Sequence, residues 1–249
     1  MAIEKERLSS EGFVPQWVWL EHIARYEFGA RFVKEKVVVD CACGAGIGSE
    51  TFARAGAKSV VAFDVSEKDI ESARRKNILR HLTFQQSSGL ELPIASSSVD
   101  VYISLETIEH VAEDLAFLRE AHRVLQPAGI FICSTPNRAV TDPGKSISDK
   151  PWNQFHAREY SQDEFIDLLN PFFSHVELYG QNPKRIRLVR ARERLGKVLP
   201  MHGVVRINQV MKLPNLVFDE MKNHVVQDMR AGYTYEYLVA ICRTKAPAQ

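Results

Sequence analysis

The sequence predicts an α/β fold, a mostly parallel sheet with helices on both faces. Three observations carry this expectation. Short apolar runs bounded by turn residues recur at 36–40, 59–64, 82–86, 99–104 and 129–134, the pattern of strands buried on both faces. Stretches with apolar residues at helical spacing lie between several of them, so strand and helix alternate. A chain of 249 residues, 45% hydrophobic and 25% charged, can bury the core of one ordinary domain.

The elements follow in chain order. Trp17, Trp19, His22 and Tyr26 fall on an expected N-terminal helix, where Trp17, Leu20, Ile23 and Ala24 are spaced as a buried stripe. Such a helix either packs on the core or closes over a ligand. Lys36-Val37-Val38-Val39 reads as the first strand, Gly44, Gly46 and Gly48 as a tight turn, and Ser49 to Ala55 as a helix. Strand, glycine turn and helix N-terminus make a seat for a nucleotide-type ligand. The spacing is G-x-G-x-G, whereas a dinucleotide site uses G-x-G-x-x-G. Asp40 ends the strand, and a carboxylate there repels a pyrophosphate but accepts from an ammonium group. That sign favours S-adenosylmethionine over a nicotinamide dinucleotide.

Ser59 to Phe63 forms the second strand, and Asp64 follows where an acidic residue grips ribose hydroxyls. Ser66-x-x-Asp69 caps a polar helix running to Asn77. Val111, Leu115, Leu118 and Leu125 mark a helix that Pro127 and Gly129 end, and Ser161-x-x-Glu164 opens another carrying Phe165, Leu168 and Leu169. Ser174 to Tyr179 alternates like a strand with one wet face, and Tyr235 to Arg243 is the last strand.

Composition limits the function. No apolar run reaches the roughly 20 residues that span a bilayer, and Met1 to Arg7 lacks the apolar core of a signal peptide. A cytoplasmic protein without stable membrane insertion is expected. The four cysteines suggest neither a disulfide scaffold nor a metal site, since Cys41 and Cys43 stand without nearby partners and Cys133 and Cys242 sit in strands. No metal is expected. A formal charge of +1 gives no global attraction to nucleic acid.

With the glycine loop, further segments carry a resemblance: Leu90 to Ile94, Ser98 to Ser104, Leu105-Glu106-Thr107-Ile108-Glu109-His110-Val111, and Leu125 to Asn137. The chain resembles a class I S-adenosylmethionine-dependent methyltransferase over about residues 20 to 180. Glu21-His22-x-x-Arg25-Tyr26 and Asn153 to Tyr160 look like the branch associated with sugar and glycan modification. The resemblance implies a Rossmann-like, seven-stranded, mostly parallel sheet with one antiparallel strand. It implies a single domain over 1–249, with a helical cap at 1–33, a core at 34–180 and 231–249, and an insertion at 181–230. By position, Asp40, Cys43, Gly44 and Gly46 would hold the methionine end and Asp64 the ribose, while Val65 would lie against the adenine. Ser88 stands, beside Gly89, where the family often has an acidic residue for the adenine amino group; Leu105 and Glu106 would line the cleft near the methyl group.

The reaction expected is SN2 displacement of that methyl group by an oxygen or nitrogen, with alignment supplying much of the acceleration. A hydroxyl acceptor needs a base, and His156 and His110 are the candidates. Lys184 to Lys197 carries seven basic residues and one acid, with Arg187, Arg190, Arg194 and Lys197 on one helical stripe. This stretch packs on the sheet or on a second copy in a homodimer, or it recognises a phosphate-bearing or glycan-related small substrate, or it contacts a membrane surface or nucleic acid. A nucleic-acid methyltransferase and a non-catalytic cofactor-binding protein are the alternatives. Against the first, Ser104-Leu105-Glu106-Thr107 is unlike the Asn-Pro-Pro-Tyr type of motif after the fourth strand.

Overall fold

The computed structural model describes residues 16–190 and 224–245. Eight strands form one sheet in the order β3-β2-β1-β4-β5-β8-β6-β7. Strands β1 (Val37–Cys41), β2 (Ser59–Asp64), β3 (Leu82–Gln86), β4 (Val99–Leu105) and β5 (Leu125–Pro136) run parallel. Strand β8 (Tyr233–Arg243) lies antiparallel between β5 and β6 (His175–Arg185), and the two-residue β7 (Gln227–Asp228) pairs with β6. The sheet therefore has eight strands where seven are expected, the extra one lying within the expected insertion.

The helices are α1 (Gln16–Ala30), α2 (Ile47–Arg54), α3 (Glu67–Lys76), α4 (Asp114–Val124), the single turn α5 (Arg138–Thr141) and α6 (Gln162–Leu169). One apolar cluster on Phe63, Tyr102, Phe117, Phe131 and Phe165 fills one face of the sheet, and another on Phe28, Phe52, Ile70, Phe84 and Ile103 fills the other. An eight-residue helix such as α2 is too short to persist alone. Its stability comes from fully buried Phe52, worth about 1.5–3 kcal/mol. Ser66 accepts from the Asp69 backbone N–H at the start of α3, and Ser161 and Glu164 complete a reciprocal capping box on α6.

Three expectations are corrected. In α1 the residues Trp17 and Leu20 are exposed at 44% and 45%, while Val18, Glu21, Arg25, Phe28 and Gly29 face inward. The inward face carries charge because it meets polar groups: Asn182 Nδ2 donates to Glu21 at 2.6 Å, and Arg25 donates to Gln181. Leu115 is also exposed, at 50%, so the inward side of α4 is Phe117, Leu118, Ala121 and Val124. Lys184 and Arg185 belong to strand β6, paired with Thr234 and Tyr233, so the basic stretch does not begin as a helix. Residues 186–190 are helical, and 191–197 lie outside the described residues. Among the described residues, no helix is long and apolar enough to cross a membrane.

Candidate active site

The C-terminal ends of β1, β2, β4 and β5 converge on one edge of the sheet, where open α/β sheets bind ligands. Asp40 is held there by pairing on both sides, with Ala62 of β2 and Ile103 of β4. Ser49, in the first turn of α2, donates to Asp40 at 2.5 Å. Only 6% of Asp40 is exposed. Burial pushes its carboxyl from 3.8 up to about 7, the Ser49 hydrogen bond works against this, and the nearby charge of Asp64 adds to it.

The loop between β1 and α2 needs glycine at two places. Gly44 and Gly46 have φ of +52° and +84°, in the left-handed region. A Cβ on Gly46 would come within 2.6 Å of the Phe84 ring, whereas one on Gly44 would meet nothing within 4 Å. Gly46 therefore faces the core and Gly44 faces open space. Cys43, also buried, anchors the loop by donating its backbone N–H to the Phe63 carbonyl at 2.9 Å. Asp64 ties two loops together, accepting from the Gly44 and Ser66 backbone N–H groups, each at 2.8 Å. A carboxylate has about four acceptor sites, so these two bonds leave capacity for hydroxyls.

Val65 stands just beyond β2 and is 61% exposed, a flat apolar surface beside a polar loop. Ser88 is exposed and its hydroxyl accepts from Leu90 N–H at 3.2 Å, while Gly89 packs against Phe117 and Cys41.

On the opposite wall, β4 ends at Leu105, and Glu106 takes a φ of +53°. A non-glycine residue there is strained, and the surroundings must enforce it. Ser134 does so from β5: its hydroxyl donates to Glu106 Oε1 at 2.6 Å, and Glu106 N–H points at Ser134 O (3.2 Å) and Oγ (3.0 Å). Arg25 of α1, 1% exposed, brings its Nε within 3.8 Å of Glu106 and lays its guanidinium over Tyr237 at 4.6 Å.

Beyond Glu106, a 3-10 turn (Ile108–His110) carries Glu109 and His110. The Ala157 and Arg158 N–H groups both donate to the Glu109 carbonyl, at 2.7 and 3.1 Å, so the segment after β5 folds down onto this turn. His156 thereby meets His110 edge to face, with ring centroids 4.7 Å apart. His110 Nδ1 lies 3.0 Å from the Phe155 carbonyl. His156 Nδ1 lies 2.7 Å from Glu159, and Asn153 donates to its Nε2 at 2.8 Å. Asn153 Oδ1 accepts from Phe155 N–H, which fixes the orientation of that amide. Thr141 donates to the far oxygen of Glu159 at 2.6 Å. His156 is thus a buried, anchored imidazole, and His110 is the exposed one. Glu109 is 1% exposed, and burial first, then the charge of Glu106, hold its carboxyl well above the usual range, against the pull of His156.

The structure therefore places Asp40, Cys43, Gly44, Gly46, Asp64 and Val65 at and just beyond the ends of β1 and β2, and Leu105, Glu106 and His110 at and beyond the end of the neighbouring β4, with His156 folded against His110. Sequence reasoning assigned no role to Glu109, Asn153 or Glu159. The signal was the spacing of Asn153, His156 and Glu159 at three-residue intervals, which puts an amide and a carboxylate beside one imidazole.

Strand order, glycine turn and the two strand-end carboxylates define an α/β domain with a cleft for a nucleoside-type cationic ligand. A family model described as a methyltransferase domain matches residues 39–133. A probable S-adenosylmethionine-dependent methyltransferase of Mycolicibacterium smegmatis is 32% identical over 167 residues, covering 67% of this chain and 63% of the relative. A ubiquinone biosynthesis O-methyltransferase of Ruegeria pomeroyi is 37% identical over 146 residues, covering 53% of this chain and 57% of the relative. The chain thus spans between 47% and 63% of the length of these curated relatives and others like them. A putative methyltransferase of Haloferax volcanii, solved with the Trm112 activator, shares the fold at TM-score 0.63 and 17% identity, over 94% of this chain and 95% of its own. The chain carries a methyltransferase domain over residues 39–133, and its relatives support a class I S-adenosylmethionine-dependent methyltransferase. Its residues fit the cofactor: Asp40 is a buried carboxylate whose charged form burial disfavours, and the ammonium group of the cofactor's methionine end would offset that cost. Gly44 has open space where a Cβ would stand, and Val65 is an exposed apolar side chain.

Proposed function

We propose that the chain transfers a methyl group from S-adenosylmethionine to an oxygen or nitrogen of a small polar acceptor. The observation that carries this reading is that Asp40 ends β1 while a titratable cluster, Glu109, His110 and His156, is assembled on the turn just beyond the neighbouring parallel strand β4, on the same edge of the sheet. The bound cofactor supplies an electrophilic methyl group on its sulfonium. Asp40 and the Cys43 to Gly46 backbone hold its amino-acid end, Asp64 its ribose and Val65 its adenine, with Ser88 and Gly89 closing the adenine side. Leu105 and Glu106 shape the wall beside the methyl group. The acceptor enters past His110, and its proton is handled at the Glu109, His110 and His156 cluster.

Two features favour an oxygen on a sugar-like or other flat polar acceptor. Trp152 and Phe155 are 65% and 55% exposed on the segment bearing His156, and exposed rings beside a polar pocket suit such faces. The Ruegeria pomeroyi relative is named an O-methyltransferase. The basic residues Lys184, Arg185, Arg187 and Arg190 agree with an anionic acceptor.

The test is mass spectrometry of metabolite extracts incubated with the protein and methyl-labelled S-adenosylmethionine. A labelled small molecule that appears only with protein is expected. Tight cofactor binding without a labelled product in any extract would overturn the enzymatic reading in favour of a binding protein.

A further inference from the structure

The side chains of Glu109, His110 and His156 offer three ligand atoms that all lie within 4.8 Å of one another. We propose that they form a site for a divalent first-row transition cation on the acceptor side of the cleft, a site the sequence did not suggest. The inference deepens the proposed function, since it assigns the cluster the work of a cation-binding centre that meets the acceptor.

Four observations support it. First, the donor set is two imidazoles and one carboxylate, which suits manganese, iron, cobalt or zinc better than magnesium, an ion that prefers oxygen donors. Second, both imidazoles carry the outer partners that orient metal ligands. His156 Nδ1 meets the Glu159 carboxylate at 2.7 Å and His110 Nδ1 meets the Phe155 carbonyl at 3.0 Å. Oxygen acceptors at both Nδ1 atoms place the N–H there and the lone pair on each Nε2. Third, Glu159 is itself fixed by Thr141 at 2.6 Å, so the support extends one residue further. Fourth, His110 Nε2 lies 4.0 Å from Glu109 Oε1, a separation that one ion lying between the two atoms can bridge.

Three protein ligands leave coordination positions open, the arrangement of catalytic rather than structural sites. An acceptor oxygen bound there would be oriented and its proton made more acidic. His156 then serves as a ligand, and the Asn153 amide, 2.8 Å from its Nε2, must swing aside as the cation enters. Asn153 is thus a brake on affinity.

The test is titration of the full chain, stripped of metal by chelation, with Co²⁺ followed by visible absorption and with Mn²⁺ followed by electron paramagnetic resonance. One saturable site is expected. His110→Ala and Glu109→Gln should each weaken it by at least about 30-fold, Asn153→Ala should strengthen it, and His175→Ala on the far edge of the sheet should leave it unchanged. His110 is exposed, so its variant should fold, which retained S-adenosylmethionine binding verifies. Lack of saturable binding, or binding that His110→Ala leaves intact in a folded protein, overturns the site. These titrations use no acceptor and no turnover. A protein that binds Co²⁺ without methylating anything fails only the proposed function, and one that methylates in chelator without binding Co²⁺ fails only this inference.

Discussion

Replacing Asp40 by Asn separates the charge of that residue from its hydrogen bonding. In the cofactor-free protein burial moves its carboxyl from 3.8 to about 7, a cost to the charged form of about 4 kcal/mol. Because the folded value lies above the unfolded one, the contribution of Asp40 to stability is intact below pH 3.8 and is lost as pH rises toward 7. Asp40→Asn removes that cost, so denaturant unfolding should show the cofactor-free variant more stable than wild type by about 2–4 kcal/mol at pH 8, and nearly equal at pH 4. Cofactor binding moves the opposite way. A cationic ligand requires the carboxylate, so affinity in the wild type should fall by about tenfold per unit as pH drops below 7, or about 50-fold between pH 7 and pH 5. Loss of a charge-assisted hydrogen bond of about 1.5–3 kcal/mol predicts a 10- to 150-fold weaker variant at neutral pH, with no such slope. Isothermal titration calorimetry with S-adenosylmethionine in two buffers of different ionisation enthalpy measures both the affinity and the protons released. Wild-type affinity that is flat from pH 5 to 7, with no proton release, would refute the reasoning. So would a variant that binds as tightly as wild type.

Three other substitutions probe the remaining walls of the cleft. Gly46→Ala places a Cβ 2.6 Å from the Phe84 ring at a φ of +84°, so a loss of about 2–4 kcal/mol is expected in thermal or denaturant unfolding, and an effect under about 0.5 kcal/mol contradicts the packing described. Val65→Asp changes a residue that is 61% exposed; stability should stay within about 0.5 kcal/mol while cofactor affinity drops several-fold, and unchanged affinity would remove Val65 from the adenine face. Arg25→Met leaves the Glu106 carboxylate and Gln181 without their buried partner and should cost about 2–4 kcal/mol, with α1 losing hydrogen-exchange protection before the sheet; uniform protection would show that α1 is held by its apolar contacts alone.

The strand ends and glycine turn to which the cofactor is assigned were legible because they are local. Asp40, Gly44, Gly46 and Asp64 lie within 25 positions of one another, and strand ends with glycine turns announce themselves through residue type. The same holds for the five strands β1 to β5 and the cap on α6. The inward face of α1 was not legible, since hydrophobic spacing assumes an apolar interior and this helix buries Glu21 and Arg25 against polar groups of β6. Nor was the strand carrying Lys184 and Arg185, because pairing with β8 outweighs the helical spacing of its basic residues. Glu109, His110, Asn153 and His156 come together only because backbone bonds from Ala157 and Arg158 fold a distant segment onto the turn after β4.

That dependence bears on how the acceptor side works. Glu106 keeps its left-handed backbone because Ser134 of β5 grips both its N–H and its carboxylate, while Arg25 of α1 faces it from a third direction. Arg25 in turn donates to Gln181, whose side chain also donates to the Glu21 carbonyl at 2.9 Å. The strained residue at the end of β4 is thus braced by β5, α1 and β6 at once, and a shift of α1 must be felt at Glu106. Acceptor binding that changes the protection of α1 in hydrogen exchange, without changing that of β1 or β2, is the outcome this bracing requires. An α1 whose protection is the same with and without acceptor would make the helix a passive cover.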